Sequence, residues 1–294
     1  MTSSNPPISV IVPHYRDLIG LDRCLEALQK QSIPSEDFEV IVADNNSPEG
    51  EATISALING RARLVVVTEK GAGPARNGGV DAARGQVLAF TDSDCVPDER
   101  WLAEGVAGLK PYDFVGGRVT VLVENLARMT PVEAFERVFA FDFKTYIIRK
   151  GFTGAGNMFC SKRMFEQVGG FRPAVSEDLE WSLRARGMGF RLGYAPGAIV
   201  GHPARQSWAE LRAKWARVNR ETYLLYRERR AGRLQWFART LALPFSAIFH
   251  APKVLMSDQL STFRQRVSAI KVLVQIRLWR FLDALALLAR DGAA

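Results

Sequence analysis

Two carboxylates one residue apart, Asp92 and Asp94, directly follow an apolar run, residues 87–90, that is typical of a buried strand. Negative charges at this spacing repel, and each disfavours the ionisation of the other. A divalent cation held by both side chains would relieve that repulsion. The alternative is a turn whose aspartate caps a helix that starts near Pro97. These residues alone leave both interpretations open.

The elements that would position these carboxylates alternate between strand and helix. Apolar, β-branched runs predict strands at residues 8–12, 38–43, 64–67 and 87–90. Helical spacing predicts helices between them, at 18–31, 51–59 and 75–83. This order predicts a parallel sheet covered on both faces, with ligands beyond the carboxyl ends of its strands. The polar clusters expected along that edge are Pro13–Tyr15, Asp44–Ser47, Glu69–Gly73 and Asp92–Asp94.

A second acidic cluster opens a helix later in the chain. Ser176 has the side chain of an N-cap, and Glu177, Asp178 and Glu180 follow in the first turn of a helix that is predicted to end near Gly187. These acids fit either helix capping or general-base chemistry. The intervening chain is predicted as a strand at 114–123, a partly helical aromatic segment at 131–150, a glycine-rich loop at 151–159 and a helix from 162 to 169.

Residues 8–202 resemble a family 2 glycosyltransferase of the GT-A fold. The resemblance rests on six segments in order: ISVIVPHYR, FEVIVADNNS, GAGPARNGGVDAARGQVLAFTDSD, GAGNMFCSKRMFEQVGGF, SEDLEWSLRARGMGF and AIVGH. It implies an α/β, Rossmann-like and mostly parallel sheet flanked by helices. It also implies inverting transfer of a sugar from a nucleotide-sugar donor to a hydroxyl acceptor.

The resemblance assigns the first acidic pair to metal and donor binding. Asp92-Ser93-Asp94 corresponds to the D-x-D motif of the family. By that correspondence Asp94 contacts a Mg²⁺ or Mn²⁺ ion, and Asp92 contacts the ribose or metal-bound water. His202 stands where many members place a histidine on the metal or diphosphate, although a single histidine is also commonly structural.

The donor would be held by side chains at the starts of the predicted loops. Pro13, His14 and Tyr15 could form a wall against the base, and Asp44 could accept a hydrogen bond from a base N–H or a ribose hydroxyl. Arg76 and Asn77, at a helix start after a glycine-rich loop, could meet the phosphates. A solvated helix position is the alternative for Arg76. We expect a UDP-sugar as the donor.

The acceptor side follows from the second acidic cluster. An inverting transfer needs a base for the acceptor hydroxyl, and the family's E-D pair makes Asp178 that base, with Glu177 second. The segment Gly154, Ala155, Gly156 and Asn157 resembles the lining of the sugar pocket, where small residues let the backbone approach a sugar. Trp181 could stack on a sugar face or pack in the core.

Two positions depart from the family pattern. Arg16 stands where the family often has Asn or Asp, and Glu180 stands where it often has Asp. Both departures leave the identities of donor and acceptor open. Two other function classes also stay open: a sugar nucleotidyltransferase, and a non-catalytic protein that binds a sugar nucleotide or a membrane.

The positive charge is concentrated in the last third of the chain. Residues 203–294 hold 17 Lys and Arg against 6 Asp and Glu, a net charge of +11, whereas residues 1–202 carry a net −3. Apolar stripes at helical spacing, at residues 211–225 and 267–288, accompany these cations, which fits an anionic membrane surface better than nucleic acid. The alternative is a helical subdomain that packs on its own core. The sequence thus predicts a catalytic domain at 1–202 and a basic helical region at 203–294.

Three scattered cysteines, Cys24, Cys95 and Cys160, and the lack of a signal peptide predict a reducing, cytoplasmic setting. Uncharged stretches are too short for a spanning helix. We therefore expect peripheral attachment at the inner membrane face, with a lipid-linked or polysaccharide glycan as the acceptor.

Overall fold

The computed structural model describes residues 7–292, which form two compact units. The first unit contains residues 7–120 and 142–202, and the second contains residues 121–141 and 203–292. The observed units therefore differ from the predicted boundary in residues 121–141, which group with the basic helices.

An eight-stranded sheet forms the frame of the first unit. Its strands are β1 (Ile8–His14), β2 (Phe38–Asp44), β3 (Arg63–Val66), β4 (Val87–Thr91), β5 (Val96–Pro97), β6 (Phe114–Leu122), β7 (Asn157–Ser161) and β8 (Leu192–Pro203). They lie in the order β3-β2-β1-β4-β7-β6-β8-β5. The first four are parallel, as the alternation predicts, whereas β7 runs antiparallel to both β4 and β6, and β5 antiparallel to β8. The sheet is therefore mixed rather than mostly parallel.

The helices of the described chain follow the predicted order, with shifted ends. They are α1 (Leu18–Leu28), α2 (Glu51–Ile58), α3 (Ala72–Ala82), α4 (Trp101–Gly108), α5 (Pro131–Phe139), α6 (Phe143–Thr145), α7 (Lys162–Val168), α8 (Glu177–Gly187), α9 (Trp208–Arg227), α10 (Gly232–Leu255) and α11 (Phe263–Gly292). A π-helical turn, Tyr146–Lys150, continues α6. The alternative of an Asp cap near Pro97 is wrong, because Pro97 lies in β5 and α4 begins only at Trp101, with Arg100 as its N-cap.

Alternation along β1 builds both halves of the core. Val10 and Val12 pack with Leu25 of α1 on one face, and Ile11 packs with Val80 of α3 on the other. The contacts on both faces exclude water, and each fully buried aliphatic side chain contributes about 1.5–3 kcal/mol to the stability of the fold. The sheet is thus held from both sides, and the carboxyl ends of its parallel strands are fixed relative to one another.

Strand register brings the predicted site segments together. His14 lies opposite Asp44, and Thr91 lies opposite Asn157. Val96 lies opposite Gly201 in an antiparallel pair, so the residue before Val96 faces the residue after Gly201. The D-x-D segment therefore meets both the glycine-rich loop at 154–156 and His202.

The second unit is a helical bundle with its own core. Leu211 of α9, Val254 of α10 and Leu273 of α11 are fully buried within it. Glu136 of α5 is 1% exposed, and its Oε1 accepts from Arg205 Nη1 at 3.0 Å and from Lys214 Nζ at 3.2 Å. A buried carboxylate with two cationic partners is satisfied, and these pairs lower its pKa. The bundle thus packs as a subdomain.

Among the three long helices of this unit, large exposed apolar side chains lie on α10 and α11, and none lies on α9. Leu211 and Leu225 of the predicted α9 stripe are buried, whereas Phe245, Ile248 and Phe249 of α10 are 65–80% exposed. Over residues 7–292, no helix combines the length and apolarity that crossing a bilayer requires.

Candidate active site

Asp94, Cys95 and His202 form a compact group of potential metal ligands. His202 Nε2 lies 3.3 Å from Asp94 Oδ2, and one ligand atom from each of the three residues lies within 4.8 Å of the others. Burial and the nearby charges of Asp92 and Asp94 raise the pKa of the Cys95 thiol, and its sulfur is a softer donor than Mg²⁺ or Mn²⁺ prefers. The carboxylate of Asp94 and the imidazole of His202 are therefore the candidate donors for a divalent cation such as Mn²⁺.

Arg76 joins the two acidic motifs. Its side chain is 6% exposed, with Nη2 2.5 Å from Asp92 Oδ1 and Nη1 3.0 Å from Glu177 Oε1. Asp92 is 16 residues from Arg76 in the chain, and Glu177 is 101 residues away. One guanidinium at the start of α3 therefore fixes the first carboxylate of D-x-D and the first turn of α8 in a single network.

Asp178 has the electrostatics of a base. Burial, together with the negative charge of Glu177, raises its pKa to about 6, while the positive charge of Arg76 and a hydrogen bond from the Leu179 backbone N–H act in the opposite direction. A carboxylate with a pKa of about 6 is mostly ionised at neutral pH and yet basic enough to accept a proton. Capping alone does not require such a shift, so the arrangement can support proton transfer.

The glycine-rich loop lies directly against the D-x-D motif. A Cβ on Gly156 would come within 2.5 Å of Asp92 Oδ2, and a Cβ on Gly154 within 2.5 Å of the Phe143 ring. Thr153, just before this loop, is tied to α8, because its N–H donates to Ser182 Oγ at 3.3 Å. The loop thus connects the helix that carries Asp178 to Asp92.

Comparison with known proteins decides the family. Residues 9–169 match the family described as Glycosyl transferase family 2. The chain belongs to glycosyltransferase family 2. It is 30% identical over 287 residues to glycosyltransferase AglE of Haloferax volcanii, covering 95% of this chain and 93% of that protein. It is also 24% identical over 240 residues to the probable glycosyltransferase YdaM of Bacillus subtilis, where it spans 57% of the longer relative.

Solved structures show the GT-A fold. Mannosyltransferase PcManGT from Pyrobaculum calidifontis, in complex with GDP-Man and Mn²⁺, matches with a TM-score of 0.63 at 17% identity over 98% of this chain and 88% of that one. TarS from S. aureus, residues 1–349 in complex with UDP, matches with a TM-score of 0.50 at 19% identity over 73% of this chain and 64% of that one. The fold prediction is confirmed, and family membership excludes the sugar nucleotidyltransferase alternative.

At the donor side of this glycosyltransferase, the structure separates the predicted base-binding residues. Tyr15 is 52% exposed, whereas Pro13 and His14 are buried within β1, so the three residues of the predicted wall differ in exposure. Asp44 is also buried, and its Oδ1 lies 2.7 Å from His14 Nδ1 and accepts from Ser47 Oγ at 2.6 Å. These contacts engage Oδ1 of Asp44 within the protein. Among the predicted base-binding side chains, Tyr15 is the accessible one.

Arg76 and Asn77 are both engaged within the protein. Both terminal nitrogens of Arg76 are paired with carboxylates, and the Asn77 amide exchanges two hydrogen bonds, of 2.9 and 2.8 Å, with the Phe171 backbone. The phosphate contact of these side chains stays a prediction. The solvated alternative for Arg76 is wrong, because its side chain is buried.

Two predicted acceptor residues are structural. Trp181 is fully buried, stacks on Phe165 at 5.5 Å between ring centroids and donates through Nε1 to the Gly169 carbonyl. Asn157 is also fully buried, with Oδ1 accepting from Trp101 Nε1 at 2.9 Å. Neither side chain is available to a sugar in this structure. The core alternative therefore holds for Trp181, and Asn157 has a structural role instead of the expected acceptor contact. Ala155 is 2% exposed, which leaves Gly156 as the loop residue nearest to Asp92.

Two serines organise the site: Ser47, which the sequence placed in a polar cluster without a role, and Ser182, which it did not single out. Ser47 accepts from the Arg16 N–H at 3.0 Å, and its own N–H donates to Asp44 Oδ2 at 2.8 Å. Ser182 ties α8 to Thr153. Ser47 lies three residues after Asp44, a spacing at which an Asp side chain can bond a nearby backbone N–H, so its role has a local signal. Ser182 has no local signal, because its partner lies 29 residues away.

Proposed function

We propose that the protein is an inverting, metal-dependent glycosyltransferase that moves a sugar from a nucleotide-sugar donor to a hydroxyl group of a glycan or lipid-linked acceptor. The observation that carries this proposal is the network in which Arg76 joins Asp92 to Glu177, beside Asp178. It brings a donor-binding motif and a base of suitable pKa together, although the two are far apart in the chain. These retained carboxylates also argue against the non-catalytic alternative.

Asp94 and His202 would hold the cation. We propose Mn²⁺ ahead of Mg²⁺, because an imidazole nitrogen suits a transition metal better than it suits Mg²⁺. When bound, the cation would supply positive charge that stabilises the departing diphosphate. Asp92 would contact the ribose or metal-bound water, with its orientation kept by Arg76.

Asp178 would take the proton of the acceptor hydroxyl as that oxygen forms a bond to the anomeric carbon. The bond from this carbon to the phosphate oxygen breaks on the opposite face, and the nucleoside diphosphate leaves with the electron pair. The charge of Arg76 keeps the pKa of Asp178 from rising further, which maintains the ionised base near neutral pH. Glu177, paired with Arg76, serves as an orienting residue in this scheme.

A UDP-sugar is the proposed donor, with Tyr15 and Asp44 at the nucleotide side. The comparison proteins bind GDP-Man in one case and UDP in the other, which supports a nucleotide sugar as the donor class. We further propose that the second unit attaches the enzyme to the cytoplasmic face of an anionic membrane. Its net positive charge and the exposed apolar side chains of α10 support this attachment.

The test is a panel of sugar nucleotides scored by thermal shift, with Mn²⁺, Mg²⁺ or a chelator. The true donor should raise the melting temperature only with a divalent cation, because a bound ligand adds about 2.7 kcal/mol at a hundredfold excess over Kd. The anomeric configuration of the product, read by NMR with that donor, should be inverted. A product of retained configuration, or full turnover in chelator, would contradict the proposal.

A further inference from the structure

The outward side of α10 is apolar along most of its length. Phe245, Ile248 and Phe249 lie on it with exposed fractions of 65%, 72% and 80%. Residues at spacings of three and four share one side of a helix. Eight residues between 236 and 252 are exposed, and all eight are apolar: Phe237, Ala238, Leu241, Ala242, Phe245, Ile248, Phe249 and Pro252. We call these eight residues the apolar stripe.

The opposite side of α10 is fixed in the core of the second unit. Trp236, Leu243 and Ala247 are buried there, and Trp236 Nε1 donates to the Ala284 carbonyl of α11 at 3.1 Å. The stripe runs from residue 237 to residue 252, about 24 Å of helix. A partner can therefore reach this surface only from one side and along the length of the helix.

Helix α9 of the same unit shows how a side that faces water is built in this protein. Seven of its residues are exposed, and five of these are charged: Glu210, Arg212, Arg217, Arg220 and Arg227. A helix with one side in water normally carries polar residues there. Helix α10 departs from this rule over about four turns, so its outward side fits an apolar medium.

The charge around the stripe distinguishes between the possible partners. Helix α10 contains no Asp or Glu in its 24 residues, and exposed Arg233 and Lys253 precede and follow the stripe. On the neighbouring α11, exposed Arg264 and Lys271 lie in a stretch, residues 259–282, without an acidic residue. A second copy docked through the same stripe would bring these cations together. An anionic lipid surface attracts them.

We propose that α10 lies in the plane of a membrane surface with its apolar stripe inserted among the lipid chains, so that apolar burial holds the protein there more than charge does. Apolar side chains on one side of a helix, with cations beside them, are typical of helices that lie in the interface. Phe245, Ile248 and Phe249 enter the lipid, and Arg233 and Lys253 meet the headgroups. This inference rests on the proposed membrane attachment and deepens it, because it names the inserting surface and makes the binding resistant to salt.

The test is co-sedimentation of the full-length protein with neutral phosphatidylcholine vesicles and with vesicles that also contain phosphatidylglycerol, at about 0.1 M and about 0.5 M salt. Phe245→Gln/Phe249→Gln removes two members of the stripe. Ile19→Gln/Met188→Gln is the matched control, because it removes two exposed apolar side chains from the first unit. Insertion requires the wild type and the control to bind both kinds of vesicle at high salt, and the stripe variant to lose at least about tenfold of that affinity. Melting temperatures should be equal, since all four side chains are exposed.

A fluorescent label locates the inserted side. Cys24, Cys95 and Cys160 are all buried, so a thiol-reactive, polarity-sensitive dye attaches to an introduced cysteine. The dye on Ile248→Cys should shift its emission to shorter wavelength when vesicles are added, whereas the dye on Arg212→Cys, an exposed position of α9, should not. An unshifted dye on Ile248→Cys in vesicle-bound protein would overturn the insertion.

The remaining outcomes separate the insertion from the attachment. Binding to anionic vesicles alone, lost at high salt and equal in the stripe variant, would overturn the insertion and leave attachment by charge. A wild-type protein that stays in the supernatant with every vesicle would overturn both, without affecting the proposed sugar transfer. Light scattering tests the second copy, because a wild-type dimer that Phe245→Gln/Phe249→Gln abolishes would assign the stripe to a dimer interface and overturn the proposal.

Discussion

Arg76 Nη2 lies 2.5 Å from Asp92 Oδ1, an ion pair that links α3 to the carboxyl end of β4. The same guanidinium bonds Glu177 and lowers the pKa of Asp178. The pair therefore couples Asp92, the proposed donor contact, to Asp178, the proposed base.

Arg76→Gln should shift the pH dependence of kcat to higher pH, because the pKa of Asp178 rises when the positive charge is removed. It should also lower kcat/KM by about a hundredfold, because Asp92 and Glu177 both lose the guanidinium that positions them. Pre-steady-state or initial-rate profiles between pH 5 and 9 measure the shift. Arg76→Lys keeps the positive charge but not the two-pronged geometry. It should therefore restore the pH dependence of kcat more fully than it restores kcat/KM. An unchanged profile in Arg76→Gln would contradict the coupling.

Asp178→Asn should lower kcat by at least about a hundredfold while donor affinity stays unchanged, because a base acts on the acceptor. In the wild type, kcat should fall as the pH drops through about 6, where Asp178 becomes protonated. Initial rates and donor titrations separate the two effects. Glu177→Gln is the control: a larger loss of kcat there than in Asp178→Asn would make Glu177 the base.

The substitution Asp178→Asn should also stabilise the fold at high pH. The pKa of Asp178 is raised in the native state, so the folded protein binds the extra proton between about pH 4 and 6 and loses this advantage as the pH rises. A shift of about two pKa units corresponds to at most about 3 kcal/mol. Urea unfolding should therefore show Asp178→Asn gaining more stability over wild type at pH 8 than at pH 4. An equal difference at both pH values would exclude the raised pKa.

His202→Ala should weaken Mn²⁺ binding by about 10- to 100-fold, and Asp94→Asn should abolish metal-dependent donor binding. Cys95→Ser is the matched control in the same cluster, and it should leave Mn²⁺ affinity unchanged because a thiol sulfur is a softer donor than Mn²⁺ prefers. Calorimetric titration of Mn²⁺ in the presence of the donor measures all three. A loss of affinity in Cys95→Ser comparable to that in His202→Ala would make sulfur a ligand.

Gly156→Ala should reduce kcat/KM by about tenfold or more, because the new methyl group would meet Asp92 Oδ2 at 2.5 Å and displace it from Arg76. Gly187→Ala is the control, since a Cβ there meets nothing within 4 Å. That variant should keep full activity and gain about 0.5–1 kcal/mol, as expected for Gly replaced by Ala in a helix. Equal activities in the two variants would show that a methyl group at position 156 does not displace Asp92.

The local sequence pattern was enough to predict the parallel strands of the sheet and the helices between them. Alternating apolar runs and helical spacing located β1 to β4 and α1 to α3 within a few residues. The antiparallel half was not predictable in this way, because β7 reaches its partners across loops and shows no signal of direction. The position of His202 beside Asp94 follows from the pairing of β5 with β8, which only the fold reveals.

Side-chain roles were harder to predict than elements. The type and motif position of Arg76 suggested a phosphate contact, yet its partner Glu177 lies 101 residues away and no local pattern identifies it. Trp181 and Asn157 were assigned to the acceptor from their motif positions, but burial depends on tertiary packing and removes both from the surface. In the basic region, the predicted helical stripes on α9 and α11 look alike in sequence. Leu211 of α9 is nevertheless buried, whereas Val274 and Leu278 of α11 are exposed, and only packing distinguishes them.

The side-chain amide of Asn157 in β7 hydrogen-bonds to three other elements of the first unit. Its Nδ2 donates to the carbonyls of Arg118 and Ala198 at 3.0 and 2.9 Å, and its Oδ1 accepts from Trp101. Strands β6, β7 and β8 and helix α4 therefore have to separate together before this side chain meets water. Hydrogen exchange of its amide protons should report the global opening of the first unit rather than local fraying. The loop that borders Asp92 is thus anchored at its end to one of the slowest-opening parts of the fold.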